Sequence, residues 1–273
     1  MAPAGPFERE PFDAGLAVLS SRYTPVFDAR LFEAHRYLAG VDASRGAQLQ
    51  RALGDDSLHG IFAARGGYGA MRLLPLLRFS TPKLVAGFSD VTALHLAAQQ
   101  QGWRSLHAPV LTQLGKQPPE VIERFFALLE GRAVAPLTGT RTVVGGVAQG
   151  PLLGGNLSVL PRLIGTPYLP PIDGAVLLLE DVGERPYQLD RMWQHLKLSG
   201  LLSRVAGVVF GEFTGCDEKD APYTSADVLD ELAVELGVPC AAGFSIGHGA
   251  VNHPVMLGAE VRLDATAKTL EFP

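Results

Sequence analysis

Cysteine is scarce. Only Cys216 and Cys240 occur in 273 residues, neither in a Cys-x-x-Cys pair nor beside histidines at zinc-ligand spacing, so a disulfide framework and a structural zinc site are both excluded and the two read as packing residues. Long apolar runs are missing as well. The longest, residues 175–179, falls far short of the roughly 20 residues a membrane-crossing helix needs, and no membrane partner is expected. Residues 1–12 hold three charged side chains and no apolar segment of an export signal, which makes the cytoplasm the expected compartment. There is no basic run and no alternation of basic with aromatic residues, and the net charge is −5. A nucleic-acid partner is therefore not expected.

What is present describes a globular chain. Hydrophobic residues make up 47% and charged ones 19%, while 31 glycines and 20 prolines follow no repeating period. The length allows one large or two moderate domains. Leu31, Ala34 and Leu38, then Leu49 and Leu53, recur at helical spacing, and residues 60–64 read as a buried strand. A glycine turn, a helix and a second strand at 84–86 follow, after which Val91, Leu94 and Ala98 resume helical spacing. Such a βαβα order implies an α/β fold, with a parallel-sheet N-terminal domain at residues 1–115 carrying helices on both faces. Turn-forming residues cluster at 116–119 and 133–142 around a helix at 121–129, so residues 116–142 read as a linker region. Residues 143–273 read as a strand-rich α/β C-terminal domain, with strands at 175–179, 205–210, 259–263 and 269–272. One strong helix lies among them, at 187–199, where Leu189, Met192, Trp193 and Leu196 form a one-sided stripe ended by Gly200.

Ser89, in Gly87-Phe88-Ser89-Asp90-Val91, stands between a buried strand and a helix, where a nucleophilic hydroxyl would be exposed and the free N–H groups of the first helical turn would face developing negative charge. The fifth residue is Val91 rather than the glycine of a Gly-x-Ser-x-Gly elbow, and the same position suits a serine that merely caps the helix. Arg65-Gly66-Gly67-Tyr68-Gly69 follows the preceding strand. It lacks the Lys-Ser/Thr of a phosphate loop, leaving either a tight turn or a backbone oxyanion donor beside Ser89. Glu180 closes an apolar strand in Leu179-Glu180-Asp181-Val182-Gly183-Glu184 and can orient a histidine or stand as a solvated charge. His248, flanked by Gly247 and Gly249, is free to reach a neighbour, whereas His95, His195 and His253 read as packing or surface residues. His248 with His253 has no third ligand at a metal-binding spacing.

Together with Gly154-Gly155-Asn156-Leu157 and Gly247-His248, these motifs occur in an order and spacing that resembles the L,D-carboxypeptidase family of serine peptidases, which includes the microcin C immunity peptidases. The resemblance spans nearly the whole chain. It implies a two-domain α/β scaffold and a Ser-Glu-His triad, with Ser89 as nucleophile, His248 as base and Glu180 as orienting acid. Asp90 and Gly67, with Gly66 adjacent, would supply the oxyanion N–H groups. It implies amide hydrolysis before the terminal D-alanine of a recycled muropeptide, no cofactor or metal, a muropeptide or short-peptide substrate, and a homodimer. Family members usually begin with a strand ahead of Ala2-Pro3-Ala4-Gly5-Pro6, and this chain starts with Met1 at that strand's end. A truncated sheet edge or a late start is the expectation. Two other readings stay open: a microcin-type peptidase acting on an acyl-sulfamoyl adenylate, for which residues 154–172 look short of a nucleobase loop, and a noncatalytic module that binds a small ligand.

Overall fold

The computed structural model describes all 273 residues. In the first half, α1 (Arg9–Ser20) and α2 (Asp42–Gly54) precede β1 (Gly60–Phe62), and β2 (Leu84–Gly87), α3 (Thr92–Gln100) and β3 (Ser105–His107) follow. Two further helices are α4 (Leu111–Leu114) and α5 (Pro119–Leu129). The second half contains β4 (Leu137–Thr138), β5 (Arg141–Val144), β6 (Val147–Asn156), β7 (Val176–Val182), α6 (Pro186–Leu198), β8 (Gly207–Thr214), α7 (Ser225–Leu236) and β9 (Cys240–Ala242). The chain ends with β10 (Val255–Leu257), β11 (Glu260–Asp264) and β12 (Thr269–Glu271).

These strands make two sheets, in the orders β1-β2-β3-β10 and β4-β12-β11-β6-β7-β8-β9-β5. β1, β2 and β3 run parallel, as do β6, β7, β8 and β9. β7 lies between two parallel neighbours, which is why residues 176–181 are all buried and its sequence is a continuous apolar run up to Glu180. On α6, Leu189, Met192, Trp193 and Leu196 are all buried, each contributing roughly 1.5–3 kcal/mol relative to exposure. Pro186 opens this helix, and Gly200, at φ +82°, follows its end.

The two halves share one core. α3, β2 and α2 contribute Leu94, Val85 and Leu49 to a cluster that also holds Val91, Leu157, Leu177, Leu189 and Trp193. β10, from the far end of the chain, pairs antiparallel with β3 and so completes the first sheet.

Two local expectations change. Leu31, Ala34 and Leu38 do not share a helix: a 3-10 turn covers only Ala29–Phe32, and His35 then pairs with Leu38 across Arg36, whose φ is +57°. Residues 133–142 are not wholly a linker, since β4 pairs with β12 and β5 with β9. α5 buries Val121, Phe125 and Phe126, the two phenylalanines packing with Phe12 and Leu111. At the β1 edge, Met1 accepts a hydrogen bond from Ala64 N–H (2.7 Å) and its amino group donates to the Phe62 carbonyl (2.8 Å). No helix is long and apolar enough to cross a membrane.

Candidate active site

β2 ends at Gly87, and the chain turns sharply into α3 through Ser89, which takes φ +64°. A non-glycine residue in the left-handed region costs roughly 1–2 kcal/mol, a strain that collects at functional sites. Ser89 is the first residue of a 3-10 turn, Ser89–Val91, that leads into α3, and the N-cap positions of turn and helix fall on Phe88 and Val91. Ser89 therefore does not cap the helix, and its half-buried side chain lies at the carboxyl end of the sheet. Gly66 lies directly against it: a β-carbon on residue 66 would stand 2.9 Å from Ser89 Cβ and 3.0 Å from Oγ. Gly67, at φ +112°, continues this loop, and neither Gly66 N–H nor Gly67 N–H finds an acceptor within the protein. Asp90 N–H belongs to the open first turn leading into α3.

The Asp90 carboxylate ties loop and turn together, with Oδ2 accepting from Ala70 N–H at 2.7 Å. Burial pushes this carboxyl up to about 6, against the opposing pull of the Ala70 N–H. Thr92 provides a second tie, its Oγ1 accepting from Asn156 N–H at 3.0 Å. Gly155 permits that approach, because a β-carbon there would come within 2.7 Å of Thr92 Oγ1. The Gly154-Gly155-Asn156 motif thus docks the second sheet on the helix that begins after Ser89.

Glu180 is fully buried on β7, and its Oε2 lies 2.6 Å from His248 Nδ1. Burial alone would raise this carboxyl, but contacts with His107 and His248 outweigh it and hold the group below its usual range. An ionised carboxylate has no hydrogen to give, so Nδ1–H is the donor and Nε2 is left as the free nitrogen. The Phe88 ring packs on the imidazole with centroids 4.6 Å apart, placing His248 next to the turn that carries Ser89. No hydrogen bond joins His248 to Ser89 Oγ.

Of the three carboxylates in the 180–184 run, only Glu180 meets His248. Asp181 points elsewhere and accepts from Asn156 Nδ2 (3.0 Å), Ser158 N–H (2.7 Å) and Val182 N–H (2.8 Å). Burial, helped by the nearby Glu180 charge, pushes it up to about 7 despite those donors. Glu184 lies beyond the strand and is half-buried. His95 is enclosed in α3, where Nε2 pairs with the Gly87 carbonyl at 2.9 Å and burial lowers it to about 3. No group of three or more His, Cys, Asp or Glu side chains converges to hold a metal. Gly247, read from the sequence only as a flank of His248, also lets the loop approach Glu180, and His107, which belongs to no motif, has its Nε2 3.9 Å from Glu180 Oε1.

Comparison with known proteins identifies the family. The signature of the LD-carboxypeptidase N-terminal domain matches residues 1–108, and that of the LD-carboxypeptidase C-terminal domain matches residues 149–263. The chain belongs to the LD-carboxypeptidase family. A murein tetrapeptide carboxypeptidase of Pseudomonas aeruginosa is 33% identical over 92% of this chain and 88% of its own length. Among LD-carboxypeptidase-like crystal structures, the muramoyltetrapeptide carboxypeptidase from Oxalobacter formigenes superposes with a TM-score of 0.87, at 26% identity, over 100% of this chain and 99% of the other. MccF in complex with glutamyl sulfamoyl guanosine superposes with a TM-score of 0.86 over 96% of this chain and 90% of the other. Its identity is only 22%, and that likeness is one of fold.

Proposed function

We propose that this LD-carboxypeptidase family member is a serine peptidase that cleaves the L,D amide bond before the terminal D-alanine of a muropeptide tetrapeptide. The carrying observation is the 2.6 Å bond from His248 Nδ1 to buried Glu180, beside a serine held at positive φ. In this reading Ser89 Oγ attacks the carbonyl carbon while His248 Nε2 takes the hydroxyl proton, and Glu180 holds the tautomer and stabilises the imidazolium. The tetrahedral oxyanion is received by the N–H groups of Asp90 and Gly67. His248 then returns the proton to the leaving amine as the C–N bond breaks. Water hydrolyses the acyl-serine by the same route in reverse, regenerating the hydroxyl.

No step needs a metal or an organic cofactor. The muropeptide class rests on the names of the relatives, since no residue here reports substrate chirality. We place the reaction in the cytoplasm, and two buried free thiols with no bridge suit a reducing compartment. The homodimer expected from the family is tested by sedimentation equilibrium.

The deciding experiment offers L,D and L,L tetrapeptides side by side and measures release of the terminal residue. D-alanine release from the L,D substrate alone, with mass gain on the Ser89 peptide after treatment with a serine-directed phosphonate, is the expected result. Absence of both would favour a noncatalytic binding module.

A further inference from the structure

The triad uses one oxygen of Glu180 and leaves the other unaccounted for. Oε1 is completely buried and accepts no hydrogen bond, a state that costs about 1–3 kcal/mol or more for a charged group. The group nearest to compensating it is His107, whose Nε2 lies 3.9 Å away with both side chains fully enclosed. Neither ring nitrogen of His107 has a hydrogen-bond partner elsewhere in the fold.

Strand register explains how it gets there. His107 ends β3 opposite Gly87 of β2, two residues before Ser89, so the pairing that delivers the nucleophile also delivers this imidazole beneath the carboxylate. The Phe88 ring lines both histidines, with its centroid 4.6 Å from that of His248 and 5.7 Å from that of His107. A carboxylate held at one oxygen only can still turn about its last side-chain torsion, which is broad and roughly two-fold.

We infer that His107 is a positioning residue of the active site: its Nε2–H faces Glu180 Oε1 and fixes the carboxylate plane, keeping Oε2 aligned on His248 Nδ1. This rests on the triad reading above. His107 touches neither the substrate nor the reacting atoms and moves no proton. It acts only through Glu180.

The test is kinetic and spectroscopic, on the full-length protein with the L,D tetrapeptide. Leucine in His107→Leu fills the space without a donor. Glutamine in His107→Gln can return an N–H near the Nε2 position, whereas His107→Asn reaches only toward Nδ1. His107→Leu is expected to lower kcat by about 10- to 100-fold with little change in KM, and to shift or broaden the low-field proton resonance of the His248–Glu180 hydrogen bond. His107→Gln should recover most of the rate and the resonance, and His107→Asn neither. If the leucine variant does not fold, the contrast between glutamine and asparagine carries the same test. In a Glu180→Gln background, His107→Leu should cause no further loss.

Wild-type kcat in both His107→Leu and His107→Asn would overturn the inference, and so would a full additive loss on top of Glu180→Gln, which would mean His107 acts by another route. Controls separate this failure from that of the triad. If Ser89→Ala or His248→Ala retains hydrolysis, the triad itself falls and takes the inference with it. If both are inactive while His107→Leu is unimpaired, only the role of His107 is lost.

Discussion

Gly247 stands so close to Glu180 that a β-carbon on residue 247 would lie 2.6 Å from Oε2, the oxygen bonded to His248. The backbone there has φ +121°, and its N–H is fixed by Asn252 Oδ1 at 2.9 Å. Glycine at this point lets the histidine loop close over a buried acid.

Gly247→Ala should therefore disturb the pair without touching either member. A displacement of about 1 Å at the reacting groups can cost on the order of 100-fold in rate. A fall of that size in kcat, with the fold retained by circular dichroism, is expected. Unchanged kcat would show that the loop accommodates a side chain and that the close approach is not required.

Ser89 stores strain that a glycine would release. Ser89→Gly should abolish hydrolysis while stabilising the protein by about 1 kcal/mol, whereas Ser89→Ala should be equally inactive without that gain. Denaturant midpoints of the three proteins decide this. A glycine variant less stable than the alanine variant would contradict the strain argument.

Glu180 and Asp181 are adjacent carboxylates with different work. Glu180→Gln should depress kcat by about 1,000- to 10,000-fold, because a neutral amide supports the imidazolium poorly and allows the wrong tautomer. Asp181→Asn should cost much less, since its contacts run to Asn156, Ser158 and Val182 rather than to His248. Equal losses in steady-state assays would mean that the alignment of Asn156 matters as much as the triad.

The pH dependence of stability should carry the signature of Asp90. Its carboxyl is raised to about 6 in the folded state by burial, so the native protein binds that proton more tightly than the unfolded chain does. The stabilisation is complete below about pH 4 and is lost as the pH rises through about 6. Asp90→Asn, which stays neutral, should gain on the wild type between pH 5 and 7.5 by about 1 kcal/mol. Thermal unfolding at the two pH values measures the gap, and a gap that does not move with pH would place the Asp90 carboxyl in its ordinary range.

Local pattern determined much of this protein. The stripe Leu189, Met192, Trp193 and Leu196 became the buried face of α6, and the apolar run before Glu180 became a central parallel strand, because spacing along an element is a short-range property. The segment 31–38 was misleading for the opposite reason: its apolar spacing suits a helix, but pairing of His35 with Leu38 across a left-handed Arg36 breaks the period. The motifs around Ser89, Glu180 and His248 could be recognised from the sequence, yet their partnership could not be derived from it. Glu180 and His248 are separated by 68 residues, and only the closed core brings them to 2.6 Å. Which neighbour meets the histidine was likewise a tertiary decision, since successive side chains of a strand point to opposite faces and the fold alone chooses the face that receives the His248 loop. His107 was the least legible. A histidine ending a short strand has no motif, and its place under Glu180 follows from the register of β3 on β2, which is set by packing of the whole sheet.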